Sequence, residues 1–387
     1  MLGKTTLFAI LCLSFEGIRS APSSRHTAVV NFAPIGEAFH GEIHVNGEPF
    51  QLKLKPQESS VFTPEFRLAA AEIGPEGETI FRDVTPSDNM ADWENNIYVD
   101  EDANAIFKME HVDGEMRLQG IMDNIHIAHD GKDHIATIRD DPPLLDPTKT
   151  DYVSTGVSLE FDDDVDTRQA VSASPELFIF VDNKMWKDLN RSDSAIMTYL
   201  SVFIRGVNNR YRTVSDPSIT YKIVKAIIIK DTKSQPFIEN HRQSDGLVDI
   251  HEVLEEYSLY LYKNRNSSTF PKHDLAPLMS GENFGQTAGV AWLGGACQDG
   301  WNQAGDRISW RASVNRDTGA SWQGIHTLAH ELAHNMGSPH DGQDNPPDEN
   351  TADCPWSDGY IMSYVFNLTN TLTFSSCSKS YMKKFIM

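Results

Sequence analysis

The sequence predicts a two-part chain: a β-rich N-terminal part followed by an α/β part. Three observations carry that prediction. Apolar and polar residues alternate in short runs through the first third of the chain. Beyond about residue 174 strand-like and helix-like periods take turns. Between the two lies a stretch rich in proline and acid.

Ahead of both parts, Lys4 precedes the apolar run 7–15 (LFAILCLSF), and the polar stretch 16–20 follows. That is the layout of a secretory leader, with Ser20/Ala21 as the expected cut, so 1–20 is assigned to a signal peptide. The run is about half the ~20 apolar residues needed to span a bilayer. A secreted, extracellular protein is expected, with no membrane partner.

From residue 21 to 140 the pattern is of short strands. In 42–55 (EIHVNGEPFQLKLK) alternation surrounds Asn46-Gly47, a strong hairpin signal. A second alternating run carries Met116, Leu118, Ile121, Ile125 and Ile127. The histidines here are dispersed and read as surface residues. Pro142, Pro143, Pro147 and the acidic cluster 160–166 (EFDDDVD) then oppose compact packing. A boundary is placed there, giving 21–170 as one part and 171–387 as the other.

In the second part, 177–181 (LFIFV) suits a buried strand. Ile196, Tyr199, Leu200, Phe203, Val207 and Tyr211 recur at helical spacing. Residues 219–229 read as another strand. Asp249 and Glu252 resemble a capping box ahead of Ile250, Val253, Leu254, Tyr257 and Leu261, one helical face. Residues 287–293 are strand-like and 321–336 helical.

Bulk composition excludes several functions. The 387 residues hold 33 Lys and Arg against 55 Asp and Glu, a formal charge of −22. Nucleic-acid binding and docking on anionic lipid need the opposite balance. Removing the leader leaves Cys297, Cys354 and Cys377, enough for one disulfide with one thiol left over. Sequons at Asn190, Asn266 and Asn367 agree with secretion as glycosylation sites.

The chemistry concentrates in 330–341 (HELAHNMGSPHD). Residues four apart share a helical face, so His330 and His334 can aim at one point. Glu331 falls beside that point, where a general base would act on a water polarised by a metal. Gly337 can end the helix in a left-handed turn and Pro339 prevents its continuation, so His340 can return as a third ligand. Three imidazoles with one open position make a catalytic rather than a structural zinc site. His326, one turn earlier, is expected to be structural. Met362 sits in a tight apolar turn at 359–364 (GYIMSY).

The long histidine motif with its methionine turn resembles the metzincin zinc proteases. Asp341 and the closing 374–378 (FSSCS) resemble the reprolysin (adamalysin) branch, as do 176–182 (ELFIFVD), 273–279 (HDLAPLM) and 289–297 (GVAWLGGAC). The wording of 353–358 (DCPWSD) is most similar to secreted salivary metalloproteases of ticks. The resemblance is strong over 172–387 and looser over 21–165. It implies an α/β metzincin catalytic domain, a mixed twisted sheet with long helices and a zinc cleft, preceded by a β-rich propeptide. It further implies one Zn2+ on His330, His334 and His340, Glu331 as base, Met362 as the floor beneath the metal, and a disulfide between Cys297 and Cys377. A family calcium site would use Glu176 and Asp274 together with position 380, here Ser380.

The resemblance implies a secreted zinc endopeptidase acting on extracellular proteins, host haemostatic or matrix proteins being the family's guess. The rival from another class is a catalytically silent binding protein of the same fold. Many relatives are kept latent by a propeptide cysteine, and 21–170 contains none. The propeptide as inhibitor would therefore need another ligand or steric cover. With Cys354 left over, a C-terminal extension is expected to be absent from this sequence.

Overall fold

The computed structural model describes residues 24–86, 93–138, 151–155, 172–345, 349–365 and 370–387. The expected leader, most of the proline- and acid-rich stretch, and Asn367 lie outside them.

In the N-terminal half, strands run in order β1 (Ser24–Ile35), β2 (Ala38–Val45), β3 (Glu48–Pro56), β4 (Phe62–Ile73), β5 (Thr79–Asp83), β6 (Ile97–Asp100), β7 (Ala105–Val112), β8 (Glu115–Met122), β9 (Ile125–His129), β10 (His134–Ile138) and β11 (Tyr152–Ser154). Eight of them close an antiparallel barrel in the order β1-β10-β9-β8-β7-β6-β3-β2. The Asn46-Gly47 hairpin forms as expected, with Val45 opposite Glu48 and both turn residues at positive φ. Alternation fills the barrel with one face of each strand, including Ile43, Leu52, Leu54, Phe107, Leu118 and Ile127.

The C-terminal half adds β12 (Glu176–Val181), β13 (Lys222–Ile229), β14 (Ala276–Ser280), β15 (Gly289–Leu293), β16 (Asp299–Trp301), β17 (Arg307–Ser309) and β18 (Ala312–Arg316). The second sheet has the order β11-β15-β18-β14-β12-β13-β4-β5 and is mixed. Its parallel centre is buried on both faces, which is why β12 reads as unbroken apolar sequence rather than alternation. Leu177, Ile179 and Val181 face one core, and Phe178 and Phe180 face the other. The first core is covered by the helices Asp193–Tyr211 and Gly324–Asn335, the second by the helix Ile250–Asn264. Ser192 caps the first of these helices at Ala195 N–H, and Asp249 caps the third at His251 and Glu252.

The sheet disregards the boundary expected near residue 170. β4, β5 and β11 all precede it, yet β4 pairs parallel with β13 and β11 parallel with β15. β4 and β5 leave the barrel between β3 and β6, so the two halves share one sheet and one core. A buried ion pair, Glu94 with Arg205, sits on this seam. Its carboxylate also accepts from Val61 N–H at 3.2 Å and Ser201 Oγ at 3.0 Å.

Trp322 is the other anchor of the seam. It is fully buried, stacks on Tyr199 at 5.5 Å, donates from Nε1 to the Tyr199 carbonyl and meets His126 of the barrel edge-on at 5.1 Å. Trp322→Ala should cost about 3–5 kcal/mol through the cavity it leaves. Urea denaturation followed by circular dichroism measures this, and a loss below about 1 kcal/mol would contradict the role given to the ring.

Candidate metal centre and active site

The helix Gly324–Asn335 carries His330, Glu331 and His334, all buried. It ends as the glycine demands. Gly337 stands at φ 83°, its N–H bonds the His334 carbonyl at 2.9 Å, and Ser338 N–H bonds the Ala333 carbonyl at 2.9 Å. This is a Schellman turn. It reverses the chain and brings His340 back to the same point.

Each imidazole is oriented by the bond its Nδ1 makes. His330 Nδ1 meets the Ile361 carbonyl at 2.7 Å, His334 Nδ1 the Ser338 carbonyl at 2.7 Å, and His340 Nδ1 the Tyr364 hydroxyl at 2.6 Å. Two of these partners come from the methionine turn and its flank, and Asp341 N–H donates to the Met362 carbonyl at 2.9 Å. Met362 is buried in the same core as the helix. The carbonyls facing His330 and His334 can only accept, so donation from Nδ1 fixes for these two rings the tautomer in which Nε2 carries a lone pair.

The three Nε2 atoms lie 3.0, 3.1 and 3.2 Å from one another. Burial pushes the His334 imidazole down to about 3, so it is neutral. Lone pairs converging at such distances in a buried place repel unless a cation lies among them. The spacing suits a shared ion at zinc–nitrogen distances of about 2.0–2.1 Å, and the donor set suits zinc. These residues fit the metal.

A fourth donor completes the cluster. Asp151 is buried, with Oδ1 2.6 Å from His340 Nε2 and 3.4 Å from His334 Nε2, and Oδ2 3.3 Å from His330 Nε2. Asp151, His330, His334 and His340 are grouped so that their ligand atoms all lie within 4.8 Å.

Glu331 is also fully buried, and neither carboxylate oxygen has a hydrogen-bond partner among the described residues. Burial, and then the nearby Asp151 charge, push its carboxyl well above the usual range, which raises its affinity for a proton. It rests against Gly289 of β15. A Cβ there would stand 2.4 Å from Glu331 Oε1 and 2.7 Å from Thr327 Cγ2, so glycine is what lets the helix approach the strand. Asn335 adds a polar tie, donating from Nδ2 to the Trp292 and Ala312 carbonyls.

With the geometry in view, the comparisons decide the family. A family model described as metallo-peptidase family M12, of the reprolysin type, matches residues 173–375, just over half of the chain. The chain belongs to metallopeptidase family M12.

A chain from Bombyx mori, named "A disintegrin and metalloproteinase with thrombospondin motifs like", is 26% identical over 285 residues, 66% of this chain and 39% of its own length. Venom metalloproteinase 2 of Eulophus pennicornis is 24% identical over 324 residues, covering 79% and 74% of the two chains. The antarease-like venom metalloproteinase TserMP_B of Tityus serrulatus is 26% identical over 223 residues, covering 53% and 88%. This chain therefore spans about two fifths of the first of these relatives and most of the venom proteins.

The structure groups His330, His334 and His340, with Glu331 on the same helix and Met362 in the core beside it. His326 lies on the same stripe, its ring 6.5 Å from that of His330, and is not part of the ligand group. Trp292 is core: it is buried beside Trp310 and donates to Ser258 Oγ at 2.8 Å.

The disulfide expectation needs correction. Cys377 is bonded to Cys354, not to Cys297, with Cα atoms 6.1 Å apart. The C-terminal helix Ser376–Ile386 begins where Ser375 and Ser378 both donate to Asp341, next to the third histidine. That anchor sets Cys377 beside the loop holding Cys354. Cys297 is exposed in the turn after β15, its thiol donating to Asp274 Oδ1 at 3.2 Å. The left-over cysteine is therefore Cys297.

Glu176 and Asp274 are neighbours, but the Asp274 carboxylate is already engaged by Glu176 N–H and the Cys297 thiol. Asn190 and Asn266 are exposed, as glycosylation requires, and Asn367 lies outside the described residues.

Sequence reasoning missed Asp151, Tyr364 and the part played by Gly289. Asp151 sits between prolines and a denser acidic cluster, where nothing local marks it. The signal available was indirect: with no cysteine in 21–170, any ligand from that part had to be of another type.

Proposed function

We propose that the chain is a secreted zinc endopeptidase acting on extracellular proteins, with Glu331 as its general base. The observation that carries this is the convergence of three Nε2 atoms beside the buried Glu331 carboxylate, which has no hydrogen-bond partner among the described residues. Zinc held by His330, His334 and His340 would supply an acidified water and polarise the scissile carbonyl. Glu331 then accepts the proton of the attacking water and returns it to the leaving nitrogen. The Nδ1 bonds of the three histidines keep the ligand set rigid while this happens.

Secretion is supported by the leader-like N-terminus and by the Cys354–Cys377 disulfide, which needs an oxidising compartment. Among the described residues no helix is long and apolar enough to cross a membrane. Host haemostatic or matrix proteins are the substrates we infer, in keeping with venom metalloproteinases among the relatives. The division into propeptide 21–170 and peptidase 171–387 is part of this reading, with the propeptide contributing strands to the peptidase sheet until it is removed.

The test is hydrolysis of a quenched-peptide library by secreted protein cleaved near residue 170, with and without a zinc chelator. Cleavage that the chelator stops is expected. Stoichiometric zinc with no cleavage of any peptide would overturn the reading in favour of a silent binding protein.

A further inference from the structure

Asp151 lies outside the residues that match the peptidase family, 22 positions before 173, yet its carboxylate comes within 2.6 Å of His340 Nε2. Its side chain is 3% exposed, and neither oxygen has a hydrogen-bond donor among the described residues. A buried, unpaired carboxylate costs several kcal/mol unless a cation answers it. Among the described residues it faces the Nε2 atoms of all three histidines, and for His330 and His334 the hydrogen sits on the opposite nitrogen, against a carbonyl. The carboxylate and the imidazoles thus point at one common cation.

The residues that follow close the rest of the cleft. β11 lies parallel along the outer side of β15, with Tyr152 opposite Ala291 and Ser154 opposite Leu293, and the Asp151 carbonyl accepts from Ala291 N–H at 3.1 Å. Without β11, β15 would be the open edge of the sheet, the place where an extended peptide could add as a strand. The Tyr152 ring sits over His334 and His340, centroids 4.8 and 5.3 Å away, and its hydroxyl donates to Gln343 Oε1 at 3.0 Å. Carboxylate, ring and strand together would fill the fourth position of a metal held by the three histidines and cover the β15 edge at once. Four protein ligands make a closed site, whereas three leave the position that hydrolysis needs.

We propose that residues 151–154 hold the uncleaved chain inactive, with the Asp151 carboxylate as a displaceable fourth metal ligand and β11 as a strand seated where substrate pairs. The proposal rests on the peptidase reading above. It assigns to an aspartate in the N-terminal half the latency that a thiol would otherwise provide.

The test uses the full-length chain loaded with cobalt(II) in place of zinc, as wild type, Asp151→Ala and Asp151→Asn. The asparagine keeps the shape of the side chain should the alanine variant fold poorly. Acetohydroxamate, a small metal chelator, is titrated in and followed through the visible cobalt bands, and peptide hydrolysis by the zinc-loaded full chains is measured in parallel. The variants are expected to bind acetohydroxamate with a Kd at least about tenfold lower than wild type, and to show peptidase activity that the wild-type full chain lacks. Equal Kd values in all three chains would overturn the proposal while leaving the metal centre intact. Loss of cobalt from the variants would also overturn it, making Asp151 a permanent structural ligand. If the wild-type chain takes up no cobalt, the peptidase reading itself fails.

Discussion

Glu331→Gln is expected to bind zinc at the wild-type stoichiometry and to lose roughly 10³–10⁴-fold in kcat, about 4–5.5 kcal/mol of barrier. The carboxylate is not among the four grouped ligands, so exchanging it for a carboxamide of the same shape removes no metal bond. Glutamine also fills the space against Gly289 and Thr327, so the helix need not move. What disappears is a proton acceptor whose affinity for a proton is raised by burial and by the nearby Asp151. Zinc content by atomic absorption and turnover of a quenched peptide by cleaved protein measure the two halves of the expectation. Turnover close to wild type would end the assignment of Glu331 as base, whereas zinc loss would show that it supports the ligands instead.

His334→Ala is the second large effect. Changes to residues that merely orient metal ligands typically cost 10–100-fold in affinity, so removing a ligand should weaken zinc binding by more than about 100-fold. The change also strips the Ser338 carbonyl of the bond that joins the Schellman turn to the ring, so the return of His340 is loosened at the same time. His326→Ala makes the informative comparison. Both residues lie on one helix and one stripe, but the His326 ring is outside the ligand group, so zinc affinity should stay within about threefold of wild type. Competition against a chromophoric chelator gives both numbers. Unchanged affinity in His334→Ala, or equal losses in the two variants, would break the ligand assignment.

The parts of the site that were legible in the sequence are those closed by local geometry. His330 and His334 are one helical turn apart, and a helix leaves them no choice but to share a face. Gly337 marks the only residue type that takes the left-handed turn without strain, and the turn fixes where His340 can go. The apolar run of β12 likewise announces a strand buried on both sides. Cysteine pairing had no such local rule. Three thiols admit three single pairings, and the choice of Cys354 for Cys377 follows from the way Asp341 gathers Ser375 and Ser378. The sheet that runs across the boundary near residue 170 was hidden for a similar reason: composition records where the chain is proline- and acid-rich, but not that β4 and β11 pair with strands far along the chain.

By itself, then, the sequence determined the helix that presents the histidines, the turn that ends it, the hairpin at Asn46-Gly47 and the three imidazole donors for zinc. Each depends on residues a few positions apart, whose relative placement the backbone dictates. Only the tertiary structure decided that Asp151 meets His340 across nearly 190 positions, that β11 covers β15, that Gly289 admits Glu331 and that Tyr364 orients His340. Those contacts are chosen by the packing of a core shared by the two halves, and no period or spacing along the chain encodes that choice.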